Sequence, residues 1–196
     1  MIAQIKGRLI EKTPTYVVID CNGVGYQLNI SLNTFSKIGD DELCLLFTHF
    51  VVREDAQLLY GFKEKSEREL FRLLISVSGV GSSTAMMILS SLSPDETKNA
   101  IMMSDVNTLK GVKGIGAKSA ERIIIDLKDK IGKVENSDSN DKISALTNNT
   151  IKEEALSALV MLGFSKAPAE KALTKIFAQT SDITVEELIK RTLKNL

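Results

Sequence analysis

The feature that most constrains this chain is an internal repeat in its middle third. A shift of 35 residues lays Leu74, Val77, Gly79, Val80, Gly81, Ala85, Ile88, Leu89 and Leu92 onto Leu109, Val112, Gly114, Ile115, Gly116, Ala120, Ile123, Ile124 and Leu127. The repeated unit is a helix, a Gly-apolar-Gly turn and a second helix. Glycines on either side of a buried aliphatic residue let the backbone turn tightly, and Val80 or Ile115 anchors that turn in the core. The next helix then begins with unpaired N–H groups and the positive end of its dipole facing outward, which favours an anion such as a phosphate. A single copy is most simply a turn between two helices. Two copies with matched flanks favour a phosphate-binding role for this tandem helix-hairpin-helix pattern over a bare turn. The candidate contacts are Gly79, Gly81, Ser82 and Ser83 in the first copy and Gly114, Gly116, Lys118, Ser119 and Arg122 in the second.

The segments around this repeat have different textures. Before it lie β-branched alternations at 2–10 and 16–19, an Asn22-Gly23 turn, a run at 25–30, and two more runs at 43–52 and 56–60 around Arg53-Glu54-Asp55. Asn-Gly between two such runs is a strong hairpin signal. About five short strands suit a small OB-like β-barrel. After Gly61-Phe62 helical signals take over, with expected caps at Ser66 with Glu69 and at Ser93 with Pro94 and Glu96. A polar stretch without periodicity, 133–149, reads as a flexible linker; behaving as a coil, it would span roughly 20 to 25 Å. Beyond it, three short helices are expected, capped at Thr150 with Glu153 and at Thr184 with Glu187, with a break at Gly163-Phe164. The expected organisation is therefore α+β and multidomain: a barrel over 1–62, the tandem hairpins over 63–132, the linker over 133–149 and a three-helix unit, similar to ubiquitin-associated domains, over 150–196. Fewer than 50 residues make a marginal core, so the last unit suits a partner.

Charge narrows the partner of the middle segment. The whole chain carries 25 Lys plus Arg against 25 Asp plus Glu, so bulk charge announces no nucleic-acid binder. Residues 1–62 hold five basic and seven acidic side chains, 63–133 twelve and nine, and 134–196 eight and nine, giving −2, +3 and −1. If DNA is bound, the middle third holds it. The first ten residues lack the layout of a signal peptide, and no run reaches the roughly 18 apolar residues that span a bilayer, so no membrane role and a cytoplasmic location are expected. Cys21 and Cys44 have no metal-type spacing and read as reduced thiols.

Enzymatic readings find little support. Gly111 to Ser119 is one residue too long for a P-loop and follows a short helical stretch instead of a strand. Ser119 also stands where a dinucleotide fingerprint needs its third glycine. With His49 the lone histidine and no Gly-x-Ser-x-Gly, neither a zinc cluster nor a hydrolase triad is indicated. No catalytic residue, metal or cofactor is therefore expected. A repair nuclease or glycosylase that docks through tandem hairpins is the alternative, and an adaptor built around the three-helix tail is a third reading.

The block from Phe47 to Phe62, Phe-Thr-His-Phe-Val-Val-Arg-Glu-Asp-Ala-Gln-Leu-Leu-Tyr-Gly-Phe, resembles the most distinctive block of the RuvA family. The N-terminal Met1-Ile2, Gly7 and Ile10-Glu11-Lys12, then Gly23-Val24-Gly25-Tyr26, the tandem hairpins and a helical tail ending near Leu196 extend the likeness along the whole chain. The resemblance implies a non-catalytic subunit that binds four-way (Holliday) junction DNA and delivers it to the RuvB motor ATPase for branch migration, in recombination and repair. It further implies a homotetramer, and the RuvC resolvase in a larger complex. By itself a Glu-Asp pair between strands is a solvated turn; the resemblance gives Glu54 and Asp55 the role of an acidic pin at the junction centre. It makes the tail the motor-binding domain, with Leu159, Leu162 and Phe164 as candidate contacts. Family members often carry a lysine in the first hairpin, where this chain has Ser82-Ser83.

Overall fold

The computed structural model describes residues 1–39, 41–138, 143–177 and 183–195. Alternating apolar residues build the barrel first. Strands β1 (Gln4–Lys12), β2 (Tyr16–Cys21), β3 (Val24–Ile30), β4 (Leu43–Val52) and β5 (Gln57–Phe62) close in the order β1-β2-β3-β5-β4, all antiparallel except the β3–β5 seam. Asn22 and Gly23 both take positive φ, 54° and 91°, and close the β2–β3 hairpin where Cys21 pairs with Val24. Val17, Ile19, Leu28 and Leu46 are fully buried inside, so the period-2 pattern places them as the sequence implies. A short helix, α1 (Leu32–Lys37), capped by the Ser31 hydroxyl, bridges β3 and β4.

Helices α2 (Lys65–Ile75), α3 (Ser82–Ser91), α4 (Pro94–Met102), α5 (Val106–Lys110) and α6 (Ala117–Asp138) follow, and then α7 (Ile143–Met161), α8 (Lys166–Phe177) and α9 (Val185–Leu193). The expected mixed architecture is thus present, with a closed five-stranded barrel. The chain divides into two compact units, residues 1–137 and 138–196. Within the first, Tyr60 and Phe62 at the end of β5 join the helical core with Phe71, Leu74, Leu109 and Ile123. The boundary expected at residue 62 therefore falls inside one packed unit. In the second, Ala155, Leu159, Ala169, Leu173 and Leu188 form a separate small core.

Several expected signals are corrected. Helix α2 starts two residues early: Glu64 is its N-cap with no side-chain cap bond, so Ser66 and Glu69 form no capping box. Thr150 lies inside α7, so the Thr150–Glu153 cap does not exist either. The caps at Ser93 and Thr184 do form, the first as a full capping box. Of the supposed coil 133–149, α6 covers the residues up to 138 and α7 those from 143, while 139–142 lie outside the described residues. The reason is local: residues 133–138 hold neither Gly nor Pro, so nothing there breaks a helix already propagating from Ala117. Among the described residues no helix is long and apolar enough to cross a membrane.

A buried carboxyl ties the barrel to the helices. Glu67 of α2 is fully buried and accepts hydrogen bonds from the hydroxyls of Ser31 and Thr34, the latter at 2.7 Å. Burial pushes its pKa above the ordinary carboxylate value and outweighs those two bonds, which pull the other way. The folded state therefore holds this proton more tightly than the unfolded chain does. Stability from this group is full below the ordinary carboxylate pKa and is lost as pH rises through the raised value. Chemical denaturation at pH values stepped upward from about pH 4 is expected to show that decline. Glu67→Gln removes the slope, and Glu67→Ala costs about 2 to 3 kcal/mol by leaving a void and two hydroxyls without their acceptor.

Candidate nucleic-acid interface

The two hairpins repeat in geometry as closely as in sequence. Val77 and Val112 N–H groups donate to Leu74 and Leu109 carbonyls at 3.1 and 3.2 Å, and Val80 and Ile115 to Val77 and Val112 at 3.0 and 3.1 Å. Gly79 and Gly114 both have φ of 89°, a region costly for any residue with a Cβ. Val80 and Ile115 are buried as anchors, at 6% and 5% exposure. Gly81 and Gly116 then open α3 and α6, their carbonyls accepting from Ala85 at 2.9 Å and Ala120 at 3.0 Å. The N–H groups of residues 82–84 and 117–119 precede those ladders, and no cap side chain covers the start of α3. Two helix N-termini are thus presented by one duplicated turn.

The glycines face open space. A Cβ built on Gly79, Gly81, Gly114 or Gly116 meets no protein atom within 4 Å. Internal packing therefore does not require glycine at these positions. At Gly79 and Gly114 backbone conformation does, whereas Gly81 and Gly116 have neither positive φ nor a neighbour. This separates strain from contact with an external ligand. Gly116→Ala is expected to keep the thermal midpoint within about 1 °C; if the turn is a phosphate site, the added methyl group would also weaken DNA binding about tenfold. Gly114→Ala adds about 1 kcal/mol of strain to the same effect. A thermal melt and a binding titration on each variant check both.

Lys118 and Arg122 are exposed on α6, and Ser119 is half-buried beside them. A shallow cleft of about 440 Å³ is lined by Ser78 and Gly79 of the first turn and by Lys118, Ser119, Arg122 and Ile125 of α6, with Glu121 and Asp126 also on its wall. Arg122 Nη1 donates to the Ser78 carbonyl at 3.3 Å. Ser78 and Ile125, the latter 76% exposed, are cleft residues that the motif did not flag. Lys113, which the repeat lays onto Ser78, is a further exposed cation beside the second turn. Ser82 is corrected as an exposed contact: the residue as a whole is buried, at 6% exposure, and Ser83 is the exposed member of the pair.

Glu54 and Asp55 lie at the tip of the β4–β5 hairpin, both exposed, with the turn closed by the Arg53 N–H to Ala56 carbonyl bond at 2.8 Å. Among the described residues no group of three or more His, Cys, Asp or Glu is arranged to hold a metal ion. His49, half-buried on β4 and edge-on to Phe71, has its pKa pushed down chiefly by burial and then by Arg72 and Arg68.

Comparison with known proteins matches this architecture segment by segment. Residues 1–61 match the family model described as RuvA N terminal domain, 71–129 the SAM-like helix-hairpin-helix tandem, and 150–196 the RuvA C-terminal domain. A Christiangramia forsetii protein named Holliday junction branch migration complex subunit RuvA is 57% identical over 196 residues, covering 100% of both chains. Proteins of the same name from Flavobacterium psychrophilum and Bacteroides fragilis are 53% and 51% identical, again over 100% of both chains. The chain belongs to the RuvA family.

Within this RuvA-family chain the tail residues separate by helical phase. Leu159 is fully buried in the small core together with Ala155, one turn earlier. It is therefore corrected as a contact candidate. Leu162 and Phe164 are 61% and 36% exposed, and Met161 at 86% lies beside them. Gly163, with φ of 97°, ends α7 as its own N–H reaches Val160 and that of Phe164 reaches Leu159, a Schellman turn that carries the apolar side chains out of the core.

Proposed function

We propose that this chain is the DNA-binding subunit of a branch migration complex, holding four-way junction DNA without sequence preference and without chemistry of its own. The duplicated hairpin carries the reading: two matched turns offer free N–H groups beside open glycine surface, with Lys118 and Arg122 at hand. Such a surface recognises phosphate positions, which are common to every sequence. The relatives' shared name, Holliday junction branch migration complex subunit, fits it.

The remaining parts then take roles. Four copies form a tetramer, one junction arm per subunit, with the division of labour running barrel 1–62, hairpins 63–132 and tail 150–196. Glu54 and Asp55 form an acidic pin at the junction centre, where negative charge repels phosphates and keeps separating strands apart. Met161, Leu162 and Phe164 of the tail contact the RuvB ATPase, which supplies the work in the cytoplasm, and RuvC joins to resolve the junction. A nuclease or glycosylase reading has no observation in its favour. Lys118→Ala tests the hairpin grip: affinity for four-way junctions of several sequences is expected to fall by a similar factor, with the slope of log affinity against log salt smaller by about one. An unchanged slope would remove the phosphate contact.

A further inference from the structure

The two hairpins are alike in backbone and unlike in charge. From Ser76 to Ser91, spanning the first turn and all of α3, the chain holds no Lys or Arg, whereas the corresponding stretch of the second copy, Gly111–Asp126, holds Lys113, Lys118 and Arg122. Met87, 43% exposed, occupies the position in the first copy that Arg122 occupies in the second. Taken in isolation the first hairpin has only neutral donors to offer an anion.

Arg122 does not, however, stay with its own hairpin. Its Nη1 donates to the carbonyl of Ser78, the residue that enters the first turn, and Ser78 and Gly79 share a cleft with Lys118 and Arg122. One hydrogen bond to that carbonyl leaves most of the guanidinium's donors for another partner. We propose that Arg122 is the missing cation of the first hairpin, reaching across the cleft from α6 so that a phosphate on the first turn is held by the free N–H groups of α3 and by this guanidinium. Lys118 and Lys113 remain with the second turn. Glu121 and Asp126 on the same cleft wall offset much of the charge at a distance, so the contribution of Arg122 depends on direct contact. The inference rests on the reading of the hairpins as phosphate sites.

A double-mutant cycle on the full chain tests it, using a four-way junction of fixed sequence titrated at several salt concentrations. Ser83 is the exposed first-copy counterpart of Lys118, so Ser83→Lys places a new cation on the first hairpin itself. Arg122→Gln is expected to weaken binding about tenfold and to lower the salt slope by about one. In that background Ser83→Lys is expected to recover at least fivefold in affinity together with the lost slope, and in the parent to gain less than twofold, because the first phosphate is already neutralised. Equal gains in both backgrounds would assign Arg122 to the second hairpin and overturn the proposal. Lys118→Gln separates this failure from a deeper one: if it weakens binding while the cycle is additive, only the shared-cation inference falls. If neither Lys118→Gln nor Arg122→Gln changes affinity or slope, the phosphate-site reading falls with it.

Discussion

Replacing Glu54 with Gln and Asp55 with Asn is expected to tighten DNA binding, and to tighten it more for linear duplex than for a four-way junction. The pair sits exposed at the tip of the β4–β5 hairpin, so substitution disturbs no packing. Two negative charges per subunit disappear from the place where the proposed tetramer brings four backbones together. At about 0.01 M salt the screening length is roughly 30 Å, and relief of repulsion there is expected to raise duplex affinity about tenfold and to shrink the preference for junctions. Near 1 M salt, with screening within roughly 3 Å, the variant and the parent should converge. Parallel titrations of both DNAs at both salt concentrations decide the matter. A solvated turn with no role gives no change at either, and a catalytic carboxylate pair gives loss of a metal-dependent activity instead of a gain in affinity.

A chain ending at Ser137 is expected to bind junctions within about twofold of the full chain and to lose all stimulation of the motor. The first compact unit ends there and carries both the barrel core and the helical core, while the second has a core of its own. The hairpin glycines, Lys118, Arg122 and the acidic tip all lie in the retained unit. What is removed is the exposed Met161, Leu162 and Phe164 surface. Junction affinity by gel shift and motor ATPase rate in the presence of junction are the two readouts. Loss of junction binding would contradict the assignment of roles.

Much of this was legible because it is written in local rules. The 35-residue repeat marks which residues are buried: Val80, Ile115 and their apolar partners lie in the core, except Leu92, which packs partly buried against it. Asn22-Gly23 names its own turn, and Ser93-Pro94-Glu96 its own cap. Short elements escaped: α1 is six residues, too few to show a period, and its anchor Glu67 lies more than thirty positions away in sequence. The polar 133–149 stretch has no amphipathic period to announce helix, yet its described residues are helical, because helix needs only tolerable residues and no breaker. The site showed the same division. The glycines and Lys118 follow from the motif, but the Arg122 to Ser78 bond joins two copies of the repeat and no spacing within either copy announces it. The burial of Leu159 beside exposed Leu162 is not legible in sequence, because exposure near a helix end turns on rotation about the axis.

The measurement that bears most directly on the central claim is competition between a four-way junction and a linear duplex of the same sequence and length, titrated with the full chain in magnesium-containing buffer, with the recovered DNA run on a denaturing gel. The account predicts that about 100 times as much duplex as junction is needed to displace labelled junction, that permuting the sequence leaves this ratio unchanged, and that every strand is recovered intact. Equal competition by duplex, a ratio that follows sequence, or cut strands would contradict it.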